Sequence, residues 1–469
     1  MDIYKIEITD STSKYLQIYN RVKYLILNNE ISKNQKLPPI RAMSKLLNVN
    51  NSTVVKAYEL LEKEGYVYKI IGSGTFVSSV KSRPINKETL KDGIIRFDNA
   101  NPSINIFPVE DFKESINLAL EKEGSSMFEY DDGLGFIKLR EILVNYLKTL
   151  NIKTTKDNIQ IISGAQQGID IVCKGLINYA DVVFVEEPTY IGALEVFKNR
   201  GAKIISIPIL NDGIDIGILK LKLEKIRPKL IYTMPNYQNP TGISYSEYKK
   251  KKLIELANEY DFYIVEDDFM SDLKFEKLKN YPLRSYDDSE RVIYIKSFSK
   301  LLMPGLRIGL IERPYEVLNK ILSAKFSSDI STSGIIQRAM YYYMKNFSWY
   351  NHVEKLEIVY SEKFRVTVCF IQEKLKDKVR LKVPSGGINF FLELPRGYSA
   401  KLFCEYLRKN GVVVLSGENF FENSIEDRFF RINIAHTNLD EIEEGISIIS
   451  RCIDEFKKDK LFLRSELYE

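Results

Sequence analysis

Residues 297–309 read SFSKLLMPGLRIG, with Lys300 between a serine-rich turn and Pro304-Gly305 and with Arg307 seven residues later. A basic pair in a loop is usually solvated surface. Here the flanking residues are small or apolar, so the pair is expected to be partly buried. A buried cation needs an anionic or electrophilic partner, and the surrounding chain supplies a scaffold that could hold one.

On either side of this stretch, short apolar runs alternate with helical ones. IQIIS (159–163), DVVFVE (181–186), AKIISIPI (202–209), KLIYTMP (229–235), FYIVED (262–267) and RVIYIKSFS (291–299) read as buried strands. GIDIVCKGLI (168–177) and YKKKKLIELANEY (248–260) read as helices between them. Such alternation predicts a parallel sheet covered on both faces, with ligands beyond the carboxyl ends of its strands. The motifs fall at those ends. SGAQQG (163–168) opens a helix whose first N–H groups suit a phosphate. EEPTYIG (186–192) presents Tyr190, which could stack on a flat ring. MPNYQNPTG (234–242) presents the Asn239 amide, and VEDDF (265–269) places Asp267 at a strand terminus.

One ligand satisfies all of these groups. Pyridoxal phosphate (PLP) needs a lysine for its aldehyde, a carboxylate for its ring nitrogen, a donor to its phenolate oxygen, a stacking surface and a phosphate cup. The order SGAQQG, EPTY, NPTG, EDD, SxSKxxxPGxRxG resembles the fold-type I (class I and II) aminotransferases, from about residue 96 onward. The resemblance implies that Lys300 is the Schiff-base lysine and that Asp267 pairs with the ring nitrogen. It also implies that Asn239 donates to the phenolate oxygen and that Tyr190 stacks on or beside the ring. Ala165, Gln166, Ser297, Ser299 and Arg307 would hold the phosphate. RFFRINIAH (428–436) resembles the segment whose arginine grips an amino acid's carboxylate; Arg431 is the choice, with Arg428 its less favoured neighbour. PSGGINFFLEL (384–394) resembles the glycine-rich turn and strand near that pocket. Where many relatives carry tyrosine after the acidic pair, this chain has Phe269, which leaves Asn239 as the expected phenolate donor and puts efficient transamination in doubt.

The first eighty residues have a different pattern. Apolar residues recur at helical spacing in YLQIYNRVKYLILNN (15–29), RAMSKLLNV (41–49) and VNNSTVVKAYELLEKEGYV (49–67), with Asn51 or Ser52 as N-cap of the third helix and Gly65 at its end. YVYKI and TFVSSV around a Gly-Ser-Gly turn read as a hairpin. LPPIRAMSKLLNVNNSTVVKAYELLEKEGYV followed by GSGTFV resembles the GntR-type winged helix-turn-helix DNA-binding domain. The short polar Asn51, Ser52 and Thr53 at a helix start can approach bases or phosphates closely. Gly72 and Gly74 let a wing press against the sugar-phosphate wall, and the resemblance adds Arg41 as a phosphate or guanine contact. Residues 1–83 hold thirteen Lys and Arg against seven Asp and Glu, a surplus of six in a chain whose net charge is +5. The body is therefore nearly neutral and the head basic, as nucleic-acid binding requires.

The expected organisation is a winged helix over 1–80, a polar linker over 81–95 and an aminotransferase-like body over 96–469, a large mainly parallel α/β part with a small α+β part from about 340. At 469 residues the chain is too long for one ordinary core. It shows no run apolar enough for a membrane span and no apolar leader at its start. Cys173, Cys369, Cys404 and Cys452 are scattered, and only His352 and His436 accompany them, so no metal site is expected and a reducing, cytoplasmic setting is. The fusion resembles the MocR/GabR-type transcription regulators. That resemblance implies a double-stranded DNA operator, a head-to-tail homodimer, and sensing of PLP or an amino-acid-like effector through an external aldimine. The alternative is a working aminotransferase acting on an amino acid and a 2-oxo acid.

Overall fold

The computed structural model describes residues 2–6, 13–27, 30–32, 35–63, 66–70, 74–77, 93–275, 280–422 and 427–466. Contacts divide the chain into Met1–Lys91 and Asp92–Glu469. Residues 81–92 of the expected linker and Gly65 and Gly72 lie outside the described residues.

In the first unit, helices Lys14–Leu27, Ile40–Leu47 and Asn51–Lys63 precede an antiparallel hairpin, Val67–Ile70 with Gly74–Val77. Their inward faces, among them Ile18, Val22, Leu25, Met43, Val54, Tyr58 and Leu61, form one core. A third stretch joins the hairpin: Leu37 N–H donates to Thr75 O and Val77 N–H to Gln35 O. The third helix begins at Asn51, so the residue before it is Asn50 and not Asn51 or Ser52 as expected. The Asn51 side-chain oxygen instead accepts from Ser44 Oγ at 2.7 Å, which ties the second helix to the start of the third.

The second unit is built on an eight-stranded sheet. In spatial order its strands are Ile159–Ile162, Gly309–Glu312, Val292–Ser297, Tyr263–Asp268, Leu230–Thr233, Val182–Glu187, Lys203–Leu210 and Gly213–Ile214. The four adjacent pairings from Val292–Ser297 to Lys203–Leu210 are parallel. Gly309–Glu312 runs antiparallel to both its neighbours, and this strand was not legible in RIGLIE. The sheet carries the near-continuous apolar runs of one buried on both faces.

Beyond the long helix Trp349–Lys374 comes a four-stranded antiparallel sheet. Its order is Arg380–Leu381, Asn389–Glu393, Phe429–Asn433, Leu415–Ser416. Ile95–Arg96 pairs with Val412–Val413, so the second unit is already ordered at Ile95, inside the stretch expected as linker.

Candidate functional site

Five strand ends of the large sheet converge on one cavity of about 290 Å³. Ala165, Gln166, Tyr190, Asn239, Asp267, Ser297, Ser299, Lys300, Arg307 and Arg431, read from separate motifs, all line it. Parallel strands bring their carboxyl ends to one edge, which is why motifs spread over nearly 270 residues meet there.

Lys300 follows the strand Val292–Ser297 and its amine donates to the carbonyl of Ala100. Burial lowers its pKa to about 8, and the charges of Arg431 and Arg307 act in the same direction. Asp267, 4% exposed, accepts from Tyr232 Oη at 2.7 Å. Burial raises it to about 7; Asp268 and Glu186 add to that shift, while the Tyr232 hydrogen bond and Lys296 oppose it. Behind it, the fully buried Lys296 forms ion pairs with Asp268 at 3.2 Å and Asp272 at 2.5 Å. Tyr294 donates to Asp268 and Tyr146 to Asp272. The acidic pair is thus split: Asp268 is neutralised by the protein, and Asp267 is left facing the cavity.

The expectation that Lys300 and Arg307 are partly buried holds for Lys300 only. Arg307 is exposed at the cavity rim, because Leu301, Leu302 and Ile308 take the core positions around it. Its guanidinium donates to Ser163 O at 2.9 Å. Gly164, at φ +95°, makes that approach possible: a Cβ there would lie 2.5 Å from Arg307 Nη2. The helix Ala165–Leu176 starts at the same point, and its first N–H groups have no intrahelical acceptor. Helix start, Ser297, Ser299 and guanidinium make an anion cradle.

Arg431 is 5% exposed. Its Nη1 donates to Asn239 Oδ1 at 3.0 Å and its Nη2 to Asp98 O at 3.1 Å, while its buried Nε has no partner among the described residues. Burial lowers its pKa to about 10, against the pull of Asp98 and Tyr190. Arg428 is instead committed to Glu393 at 2.6 Å. Tyr190 Oη donates to Gln166 Oε1 at 3.2 Å. Phe269 is buried against the cavity and brings no donor to it.

Sequence reading missed Ala100, Asn101, Ile388, Asn389 and Asn433 in the lining. Asn389 and Asn433 are register partners in the small sheet and bond to each other at 2.6 Å. Their signal was their place in the two quoted segments, Asn389 in PSGGINFFLEL and Asn433 in RFFRINIAH.

The candidate nucleic-acid face lies in the first unit. Arg41, Asn51 and Ser52 are exposed and Thr53 is half-buried. Gly74 has φ +127°, and Lys36 packs against it and 6.0 Å from the Phe76 ring centre, a basic residue beside the wing that the sequence reading did not single out.

An amine of lowered pKa, a buried carboxylate without a protein cation and an anion cradle together fit PLP. Fold and site define an aminotransferase-type body carried by a chain with a winged helix. Comparison agrees on both parts: residues 91–449 match the family Aminotransferase class I and II, and residues 14–77 match Bacterial regulatory proteins, gntR family. The chain belongs to the class I and II aminotransferase family, its cofactor is PLP, and it carries a gntR-family DNA-binding head. It is 32% identical to an aromatic-amino-acid aminotransferase of Thermococcus litoralis over 78% of this chain and 89% of that protein. The HTH-type transcriptional regulator YcxD of Bacillus subtilis is 30% identical over 93% of this chain and 99% of the relative. NorG of Staphylococcus aureus, also an HTH-type transcriptional regulator, is 27% identical over 88% and 98%. Among solved structures, a Pyrococcus horikoshii kynurenine aminotransferase bound to PMP matches with TM-score 0.75 and 31% identity, covering 78% of this chain and 92% of that one.

Proposed function

We propose that this protein is a PLP-dependent transcriptional regulator that binds a DNA operator through its N-terminal unit and senses PLP, an amino-acid-like effector, or both, in the cavity around Lys300. The observation that carries the reading is the presence of both sites in one chain: an exposed polar helix start beside basic residues, and a buried cavity with lysine, carboxylate and anion cradle.

When bound, PLP supplies an aldehyde that reacts reversibly with amines. The chain's own groups supply the rest. Lys300, with its pKa lowered to about 8, holds roughly a tenth of its amine unprotonated at neutral pH, far more than an ordinary lysine, and would be the group that takes the aldehyde. Asp267 would hold the protonated ring nitrogen, and that pairing would offset the cost of its buried charge. Ala165, Gln166, Ser297, Ser299 and Arg307 would hold the phosphate, and Tyr190 and Asn239 would serve the ring and its phenolate oxygen. Arg431 takes an effector carboxylate through a bidentate fork. Its present partners, Asn239 and the Asp98 carbonyl, are neutral, so a carboxylate competes well for it.

Arg41, Asn51, Ser52, Thr53 and the wing at Gly74 would contact the DNA, with Gly72 as the sequence-based candidate beside them. A homodimer is supported by the large apolar side chains exposed along Val109–Ile137, including Phe128 and Tyr130. A DNA-bound regulator of this type works in the cytoplasm.

Sustained transamination is the second reading, favoured by the likeness to the Thermococcus enzyme. Phe269 counts against it, because a second hydrogen-bond donor is missing beside the phenolate position. The test is an absorbance spectrum of the full chain with PLP, before and after borohydride, beside Lys300→Ala. A near-visible band that borohydride abolishes and that the variant lacks is expected. No band after adding PLP would remove the cofactor from the mechanism. Candidate amino acids titrated against that band, with DNA binding followed in parallel, separate sensor from enzyme.

A further inference from the structure

A second cavity, of about 470 Å³, lies behind the cofactor site, where the large sheet's loops meet the small sheet. One wall comes from Pro188 and Thr241, which belong to the same loops as Tyr190 and Asn239. The other wall is a face of the small sheet. Register pairs Arg380 with Glu393, Glu393 with Phe429 and Phe391 with Arg431, so these side chains project from one face. That face carries an aromatic floor. Phe391 and Phe429 stack with centroids 5.1 Å apart and planes 4° apart, and Phe421 lies 5.7 Å from Phe429.

The rim is cationic. Arg380 and Lys382 are exposed and have no acidic partner among the described residues, while the nearby Glu393 is taken by Arg428. Stacked rings with an open edge accept another flat ring, and unpaired cations at the mouth favour an anion. The volume falls in the range of small-molecule sites.

We propose that this cavity is a second ligand site, for a planar aromatic carboxylate, distinct from the cofactor cavity and coupled to it. The ring lies on Phe391 and Phe429, and the carboxylate meets Arg380 and Lys382. The coupling runs through contacts already in place. Phe391 meets Phe420 edge-on at 5.9 Å, and Arg431 lies 5.5 Å from the Phe420 ring centre. Thr189 N–H donates to Phe420 O at 2.8 Å, and Thr189 precedes Tyr190. A ring that shifts Phe391 therefore shifts both the carboxylate-gripping arginine and the loop that flanks PLP. Each ligand must then alter the affinity for the other by the same factor.

The probe is 2-naphthoate, titrated by calorimetry into the PLP-loaded full chain, with the cofactor's absorbance followed in parallel. One saturating site per chain is expected, with a change in the cofactor band on binding. Arg380→Glu with Lys382→Glu alters only the exposed rim and is expected to weaken binding about tenfold or more through charge reversal. Phe429→Ala is expected to weaken it comparably, and both changes should exceed that of Arg431→Ala. Absence of saturable binding overturns the proposal. So does binding that Arg431→Ala abolishes while the rim variant leaves it intact, since the naphthoate then occupies the cofactor cavity.

Discussion

The two sites of this chain solve opposite problems. The start of the third helix, the proposed DNA contact, holds short polar side chains, Asn51, Ser52 and Thr53, over the core of the first unit. Asn51 and Ser52 are exposed and Thr53 is half-buried, and the Asn51 side chain is tied to Ser44. The cofactor cavity holds Lys300, Asp267 and Arg431 where water is scarce, and each pays for it in a displaced pKa. An exposed polar group is satisfied by water until a ligand displaces that water. A buried one is incomplete until the ligand comes, and that incompleteness marks the site.

Lys300→Ala tests the contrast most severely. All borohydride-reducible PLP is expected to disappear from the absorbance spectrum, while duplex binding without effector stays within about twofold. Loss of duplex binding as well would show that the head depends on a loaded body.

Asp267→Asn comes next, with PLP affinity expected to fall about a hundredfold in equilibrium dialysis as the ring nitrogen loses its counter-charge. The same variant should melt higher without cofactor. Asp267 has a folded pKa raised to about 7, so its contribution to stability is greatest at acid pH and is lost as pH rises through that value. At pH 8 the amide removes that penalty, a gain on the order of 1–3 kcal/mol in denaturant unfolding.

The rate of PLP uptake should rise about tenfold per unit of pH below the Lys300 pKa and level off near 8, as the amine loses its proton. A flat profile in stopped-flow uptake would mean that another step limits capture.

Smaller effects belong to the exposed site. Arg41→Ala should lower the salt slope of duplex binding by about one and leave the cofactor band untouched. Ser44→Ala removes the hydrogen bond to Asn51 and should cost about 1 kcal/mol of unfolding free energy, read by calorimetric melting.

Legibility followed the same divide. The wing-and-helix head could be read because its pattern is local: helical spacing, a hairpin and a polar helix start within eighty residues. Its one misreading, the N-cap, is also local, since Ser44 rather than the helix's own N–H groups claims the Asn51 oxygen. In the body, Lys300, Asp267, Asn239 and Arg307 were visible because each stands in a short motif at or near a strand terminus, Asp267 inside its strand's end, Lys300 and Asn239 in the loops that follow one and Arg307 just before one. Asn389, Asn433 and Ala100 were not, because an asparagine in a sheet or a backbone carbonyl has no signature until the partner strand is known. Arg307 was read as buried because its neighbours are apolar, yet those neighbours turn inward and leave it at the rim.

By itself the sequence determined the two-part organisation, the mainly parallel sheet, PLP as the cofactor and which residue types reach it. Those follow from periodicities of two and 3.6 residues and from chemistry that needs particular side chains. Only the packing decided that Asp268 is neutralised by Lys296, that Asn389 and Asn433 line the cavity from the small sheet, and that an aromatic floor lies beside it. Each of these depends on which strand lies beside which, and strand neighbours far apart in sequence are set by the packing of the whole sheet.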